Sequence, residues 1–490
     1  MPEMPEWLNR MAEIVGSKGF TSDPDDMEPW LTDWRGRYTG KALALISPAS
    51  TDEVSAIVKI ANAHAIALVP QGGNSGMVGG ATPDTEGQSI LLSMRRMNQI
   101  RSIDNSGQLA VCDAGVILQN FHEALGEEGQ RFPLTLGGKG SATIGGLVST
   151  NAGGTQVLRH GAMRALVAGL EAVLPDGSIY DGLSALKKDN RGYDLKQLLI
   201  GGEGTLGIVT AATLKTVPAL VDRCVAWAGV ASPQAAYALF KFLNARESAS
   251  LEGFEILPKS CLDAVIEHVP NTRAPLSEPA PWNVLVEFVR DQPAATDPRE
   301  LVEALLAEAL DQTLISDAAI AANESQAEAF WKIRDSISEA ERAAGPALQH
   351  DISVPVAKMA DFITEAGARI EKAFTGTQVA AFGHMGDGNV HFHVKAPANV
   401  APSSGTSSGA VQWMVESART ISPMVHDLVV AVGGSISAEH GIGQTKRDEL
   451  GRLSGDARIL TLRAIKGAID PKNIMNPGKL VPLASSTPAT

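Results

Sequence analysis

Three glycine-rich clusters in the first half of the chain constrain its fold more than any other feature. The first is Pro70-Gln-Gly-Gly-Asn-Ser-Gly-Met-Val-Gly-Gly80, with five glycines in nine residues. It lies between two apolar stretches that read as strands, Ala67-Leu68-Val69 and Ile90-Leu91-Leu92. A strand that feeds such a loop presents unhindered backbone N–H groups to an anion, as a pyrophosphate cradle does. The second cluster runs from Gly137 to Gly154 and the third from Gly201 to Thr210. Their small residues let backbone approach a flat ligand closely. A flexible surface turn would explain any one cluster, but three between strands are better explained by one extended ligand-binding cleft. The first cluster is not the G-x-G-x-x-G of a dinucleotide fold and lacks the Lys-Ser/Thr ending of a P-loop, so a nicotinamide or ATP site is not supported.

The surrounding pattern is mixed. At 490 residues the chain is expected to hold two or three domains. A polar N-terminal helix and an extended entry segment precede a strand at Leu43 to Ile46. Ser50 followed by Glu53 makes a capping box, and Val54, Ile57, Val58 and Ala61 form one apolar helix face. Further strands are predicted at Leu109 to Cys112 and Leu170 to Leu174, the latter turning at Pro175-Asp176-Gly177, with a helix from Leu118 to Glu128. From about Pro218 glycine thins out. Helices such as Pro298 to Leu310 and Asn323 to Ala344 then alternate with strands such as Asn283 to Val289. That pattern predicts an α+β domain, an antiparallel sheet with helices on one face. Pro397 to Gly409 reads as a low-complexity, mobile loop. The expected division is 1–217, 218–425 and a C-terminal helical return over 426–490.

Three of the ten histidines fall within Gly383-His-Met-Gly-Asp-Gly-Asn-Val-His-Phe-His393. Gly-Asp-Gly-Asn is a tight-turn sequence, and the alternating flanks predict two short strands joined by it. His384 and His391 can then face one another across the turn, and His391 and His393 share a strand face. Asp387 is expected to be a turn residue. Glu439-His440 is a second acid–imidazole pair, wrapped in glycine and serine. Neutral imidazoles and a carboxylate suit zinc. His384, His391 and Glu439 are therefore candidate ligands, and His440 is a candidate base beside them. Arg334 sits on a predicted helix with Ser338 one turn later on the same face, where an arginine can clamp a carboxylate.

Composition excludes some classes. A net charge of −14 argues against a nucleic-acid partner. It does not exclude an anionic small molecule, since one or two local arginines can dominate a pocket. Three scattered cysteines, Cys112, Cys224 and Cys261, form no disulfide framework. With no apolar run near the ~18 residues of a membrane span and no leader-like start, a cytoplasmic protein is expected.

In combination these motifs give a specific resemblance. The chain resembles the FAD-linked dehydrogenases of the vanillyl-alcohol-oxidase type. It is most similar to the D-2-hydroxyglutarate dehydrogenase branch, with D-lactate dehydrogenases and glycolate oxidase subunits as neighbours. The likeness runs from about Pro48 to Leu480. It is carried by the 70–80 cluster, Asn151-Ala-Gly-Gly154, Lys188-Asp-Asn-Arg-Gly-Tyr-Asp194, Gly202-Glu-Gly-Thr-Leu-Gly207, the 383–391 turn and Ser437-Ala-Glu-His-Gly-Ile-Gly443.

The resemblance implies a two-subdomain FAD-binding domain, an α+β substrate domain and the C-terminal return. It implies dissociable FAD, because the 70–80 loop has no histidine or cysteine to bond a flavin. Cofactor contacts would come from Pro70, Gly72, Gly73, Asn74, Ser75, Gly76 and Met77, then Gly140, Ser141, Gly145, Gly146, Ser149, Asn151 and Gly154, and finally Glu203, Gly207, Ile208 and Asn476. It implies zinc on His384, His391 and Glu439, with His440 as the base and Arg334 and Ser338 on the substrate carboxylate. The reaction would be oxidation of a small anionic D-2-hydroxy acid to the 2-oxo acid, hydride passing from C2 to flavin N5. Relatives pass the electrons to an electron-transfer flavoprotein or a quinone. Gln349 and His393 depart from the hydroxyglutarate pattern, which has lysine and asparagine there, so a D-lactate or glycolate dehydrogenase is the alternative. A non-catalytic flavin-binding subunit is the rival from another class. A homodimer is the working expectation for assembly.

Overall fold

The computed structural model describes residues 4–293, 297–400 and 408–482. The core of the loop predicted at 397–409 lies outside the described residues. The chain divides into two compact units. One comprises Met1–Gly154, His160–Ala219 and Glu439–Thr490; the other comprises Thr155–Arg159 and Leu220–Ala438. The return to the first unit thus begins at 439 rather than 426. The reason is that helix Ser408–Ala431 buries Ile421, Val425 and Val429 in the second unit's core.

In the first unit, Ala44–Ile46 and Leu68–Gln71 pair in parallel with Ile90–Ser93, and Phe20–Thr21 flanks them antiparallel. A parallel pair needs a crossover, which helix Thr51–His64 supplies between the first two strands. It starts where the sequence predicts: the Glu53 N–H donates to Ser50 Oγ at 3.2 Å, and the Glu53 carboxylate accepts the Ala49 N–H at 2.7 Å. Its buried face holds Val54, Ile57, Val58 and Ala61. Burial of each larger side chain there stabilises by about 1.5–3 kcal/mol. A second sheet is antiparallel, in the order Ile100–Asp104, Leu109–Asp113, Ile208–Lys215, Val167–Val173 and Ile179–Gly182. The sequence pattern missed helix Ile144–Thr150. Gly145, Gly146 and β-branched residues make it a poor intrinsic helix. Packing makes it one: a Cβ on Gly145 would sit 2.6 Å from the Ala114 side chain.

The second unit is built on a seven-stranded antiparallel sheet. Its order is Asp317–Ile320, Asp222–Val230, Trp282–Arg290, Leu251–Pro258, Gln378–His384, Asn389–Lys395 and Ala347–Ser353. The expectation of helices on one face is corrected here. Ala226, Val284, Val286, Ile256 and Phe392 face one core with helices Pro233–Glu247, Pro298–Asp311 and Met359–Ala373. Val225, Trp227, Leu285, Leu257 and Phe382 face another with helices Lys259–His268, Glu324–Asp335 and Ile337–Ala344. Strands such as Trp282–Arg290 are buried at nearly every position because both faces are covered. Among the described residues, no helix is long and apolar enough to cross a membrane.

Candidate functional site

The histidine turn folds as its sequence predicts. Gln378–His384 and Asn389–Lys395 pair antiparallel, with Phe382 opposite His391 and His384 opposite Asn389. The Asp387 carboxylate accepts the Asn389 N–H at 2.9 Å, the role of a turn residue. Gly388 has φ +83°, and a Cβ there would lie 2.1 Å from the Val354 carbonyl oxygen, so no other residue fits. Beneath the turn lies Leu158, from the short 155–159 segment that follows the Asn151–Gly154 motif; it fills the space a side chain on Gly386 would need. Arg159 anchors that segment on Glu252 at 3.1 Å and Asp291 at 3.0 Å.

Strand pairing collects the polar side chains on one face. The His384 and His391 rings lie 5.5 Å apart at 78°. Burial, with Arg334 and His384 nearby, pushes the His391 imidazole well below its ordinary range, so it is neutral, the form that ligates a metal. Glu255, from Leu251–Pro258, pairs with His384 in register. One of its oxygens meets His384 Nδ1 at 2.5 Å and the other accepts from Arg334 Nε at 2.6 Å. Burial alone would raise this carboxyl, but His384 and Arg334 outweigh it and hold it at about 2. Arg334 Nη2 lies 3.4 Å from His384 Nε2. Sequence reasoning missed Glu255, although a glutamate in the middle of an apolar strand needs a buried partner.

The remaining substrate candidates are placed unequally. His393 is buried, and its Nδ1 bonds the Glu341 carboxylate. Gln349 lies opposite His393 in the neighbouring strand, so the two share a face. Ser338 does not share a face with Arg334. The single helix expected over Asn323 to Ala344 breaks at Ser336, and while Arg334 is buried, Ser338 is exposed on the next helix.

In the first unit the three glycine clusters interlock. A Cβ on Gly73 would lie 1.6 Å from the Ser141 carbonyl oxygen, one on Gly72 2.1 Å from Thr143 Oγ1, and one on Gly204 2.5 Å from the Pro70 ring. Asn74 turns at φ +52° and its side chain donates to the Thr32 carbonyl at 2.8 Å. Ser75 and Gly76 continue this loop, where Met77 accepts a bond from Arg35. Gly140 lies in the turn before Thr143, the N-cap of helix Ile144–Thr150, and Gly146 lies in that helix's first turn; Gly154 lies against the Thr135 carbonyl, and Gly207 leads into Ile208 at the start of the central antiparallel strand. Asn151 ends helix Ile144–Thr150 in the left-handed conformation, and its Oδ1 accepts the Arg164 N–H at 2.8 Å. Thr143 Oγ1, Gln71 Oε1 and Asn476 Oδ1 are buried without hydrogen-bond partners, as polar atoms lining a ligand site would be. With the backbone cradle they fit a flavin nucleotide.

Glu203 ties this cradle to the Glu439–Gly443 loop. It sits at φ +49°, its N–H donates to the Ser149 carbonyl at 2.8 Å, and its carbonyl accepts from Asn476 Nδ2 at 2.8 Å. Its two carboxylate oxygens accept the Ile442 and Gly443 N–H groups, each at 2.7 Å. Burial raises its carboxyl against the pull of those bonds. Gln444 donates to the Gly79 carbonyl at 2.9 Å. Glu439 and His440 are therefore carried by a loop pinned to the glycine clusters.

Comparisons with known proteins agree with this architecture. Residues 42–182 match the FAD binding domain and residues 221–480 match the C-terminal domain of FAD linked oxidases. The chain is 36% identical over 470 residues to a mitochondrial D-2-hydroxyglutarate dehydrogenase of Arabidopsis thaliana, covering 96% of this chain and 80% of the relative. It is 36% identical over 475 residues to a mitochondrial D-2-hydroxyglutarate dehydrogenase of Bos taurus, covering 97% and 83%. Among solved structures, p-cresol methylhydroxylase aligns with a TM-score of 0.73 at 15% identity, covering 98% of each chain, a likeness of fold. The α+β, two-domain FAD-binding reading thus stands. The cytoplasmic expectation does not, because both relatives are named mitochondrial.

Proposed function

We propose, from the premise that this chain belongs to the FAD-linked oxidases and is an FAD-dependent oxidoreductase, that it oxidises a D-2-hydroxy acid to the 2-oxo acid. The observation that carries the reading is the 3.4 Å approach of Arg334 Nη2 to His384 Nε2. A cation beside a potential ligating nitrogen matches a molecule with a carboxylate and a hydroxyl on adjacent atoms. The relatives' names make D-2-hydroxyglutarate the first substrate to test.

His384 and His391 fit a zinc site through their chemistry: two imidazoles, one neutral and one with Nδ1 held by a carboxylate. Glu439 is proposed as the third ligand. A zinc ion held by these residues would supply positive charge that makes a nearby hydroxyl more acidic. FAD held by the glycine clusters supplies the acceptor for the hydride from C2. The chain's own residues do the rest. Arg334 clamps the carboxylate and so fixes which face of C2 is presented. His440 takes the hydroxyl proton as that hydride leaves. The reduced protein then passes its electrons to an electron-transfer flavoprotein or a quinone. Ser338 is a weaker candidate for the carboxylate than the sequence suggested, since it is exposed.

Gln349 and the Glu341-bound His393 favour a second reading, a D-lactate-type substrate without a distal carboxylate. A panel of D-2-hydroxyglutarate, D-lactate, D-malate and glycolate, followed by dye reduction, separates the two. Highest kcat/KM for the five-carbon diacid supports the first reading, and a monoacid optimum supports the second. No turnover with any of them overturns both.

A further inference from the structure

We propose that Glu255 is the positioning residue of the histidine face, one buried carboxylate that sets both the His384 ring and the Arg334 guanidinium. The inference rests on the zinc and carboxylate roles given above and goes beyond them by naming what aims the two groups.

Glu255 has no solvent exposure and sits mid-strand in Leu251–Pro258, where its neighbours Phe254 and Ile256 are apolar. A charge in that place is tolerated only when both oxygens are engaged. They are engaged by different residues: Oε1 by His384 Nδ1 at 2.5 Å and Oε2 by Arg334 Nε at 2.6 Å. Glu255 and His384 are register partners on adjacent strands, so sheet pairing fixes one of these contacts. Arg334 comes from helix Glu324–Asp335, whose buried face, with Ala327, Trp331 and Ile333, packs on the same sheet face. Helix packing thus fixes the other contact. A carboxylate held this way cannot turn toward one partner without releasing the second.

The consequences are chemical. Accepting from Nδ1–H selects the tautomer whose lone pair lies on Nε2 and raises the basicity of that nitrogen. Engaging Nε of Arg334 turns the terminal nitrogens toward His384, which places Nη2 at 3.4 Å from Nε2. The ligating nitrogen and the carboxylate clamp are therefore aimed at one spot by a single side chain. Neither partner alone carries the geometry, and losing Glu255 also leaves the Arg334 charge buried beside a histidine.

The test uses full-length, FAD-loaded protein and Glu255→Gln, which keeps volume but not charge. Zinc content is measured after equilibration against buffered free zinc, and flavin reduction is followed against D-2-hydroxy acid concentration. The expected variant keeps its FAD, binds zinc 10- to 100-fold more weakly and needs more acid for half-maximal reduction at saturating zinc. Zinc affinity and half-saturating acid within twofold of wild type overturn the inference. Nitrogen-15 NMR of histidine-labelled wild type reads the tautomer without any variant, so the inference stays testable if Glu255→Gln does not fold. A protonated His384 Nδ1 supports it, and a bare or metal-bound Nδ1 overturns it. Wild type that takes up no zinc sinks the metal reading instead, while the NMR result still decides the role of Glu255.

Discussion

The glycine cradle of the first unit and the histidine face of the second are built by opposite means. In the cradle the work is done by backbone: Gly72, Gly73 and Gly204 let chain segments approach to distances no side chain allows, and Asn74, Asn151 and Glu203 hold left-handed turns. On the histidine face the work is done by side chains projecting from a regular sheet, where strand register alone brings Glu255, His384 and His391 together. The difference teaches where each kind of damage should fall. Changes in the cradle should harm cofactor retention and stability together. Changes on the histidine face should remove chemistry and leave a folded, FAD-loaded protein.

The largest effect is expected at His440. His440→Ala should slow flavin reduction by about 10²–10⁴-fold, the usual contribution of a general base, with FAD content unchanged in the absorbance spectrum. Near-normal reduction removes His440 from the reaction. Next comes Gly73→Ala, whose Cβ would lie 1.6 Å from the Ser141 carbonyl oxygen. Two backbone segments must separate, at about 1–3 kcal/mol or more, and the purified protein should lose FAD and unfold at lower temperature. Gly137→Ala, with nothing within 4 Å of the added carbon, should be close to neutral in both assays. Equal behaviour of the two variants would break the account of the cradle.

Glu203→Gln sharpens the comparison because Glu203 links the cradle to the His440 loop. An amide can accept at only one of the two N–H groups that now share the carboxylate, so the loop should loosen at about 1–3 kcal/mol. Thermal unfolding should drop modestly and reduction should slow with FAD retained. An unchanged reduction rate would show that the loop does not depend on this anchor.

A pH dependence of stability is also expected, at Lys479. Burial lowers the Lys479 ammonium from 10.5 to about 8. Between those values the unfolded chain binds more protons at this residue than the folded one, so stability rises with pH across that window. Below about pH 8 both states are protonated and the dependence vanishes. Denaturant unfolding of wild type and Lys479→Met from pH 7 to 10.5 should show this rise in wild type and a flatter profile in the variant.

How much of this was legible in the sequence follows from the same contrast. The 384–391 turn was readable because turn chemistry and alternation are local. The close backbone approaches of the clusters were readable because glycine spacing is local too. Glu255 was not, since its partner is 129 residues away and only sheet pairing joins them. Ser338 was misplaced because helix periodicity was carried through a break at Ser336. Helices on both faces of the second unit's sheet were foreshadowed by the unbroken apolar run Val284-Leu285-Val286, which suits a strand covered twice.

The most direct test of the central claim is an anaerobic titration of FAD-loaded, zinc-replete protein with D- and L-2-hydroxy acids, before and after chelation. The account predicts that at least one D-acid bleaches the flavin, that its L-enantiomer does not, and that chelation abolishes the reaction with FAD still bound. Failure of every D-acid, or full reduction after complete removal of zinc, would contradict it.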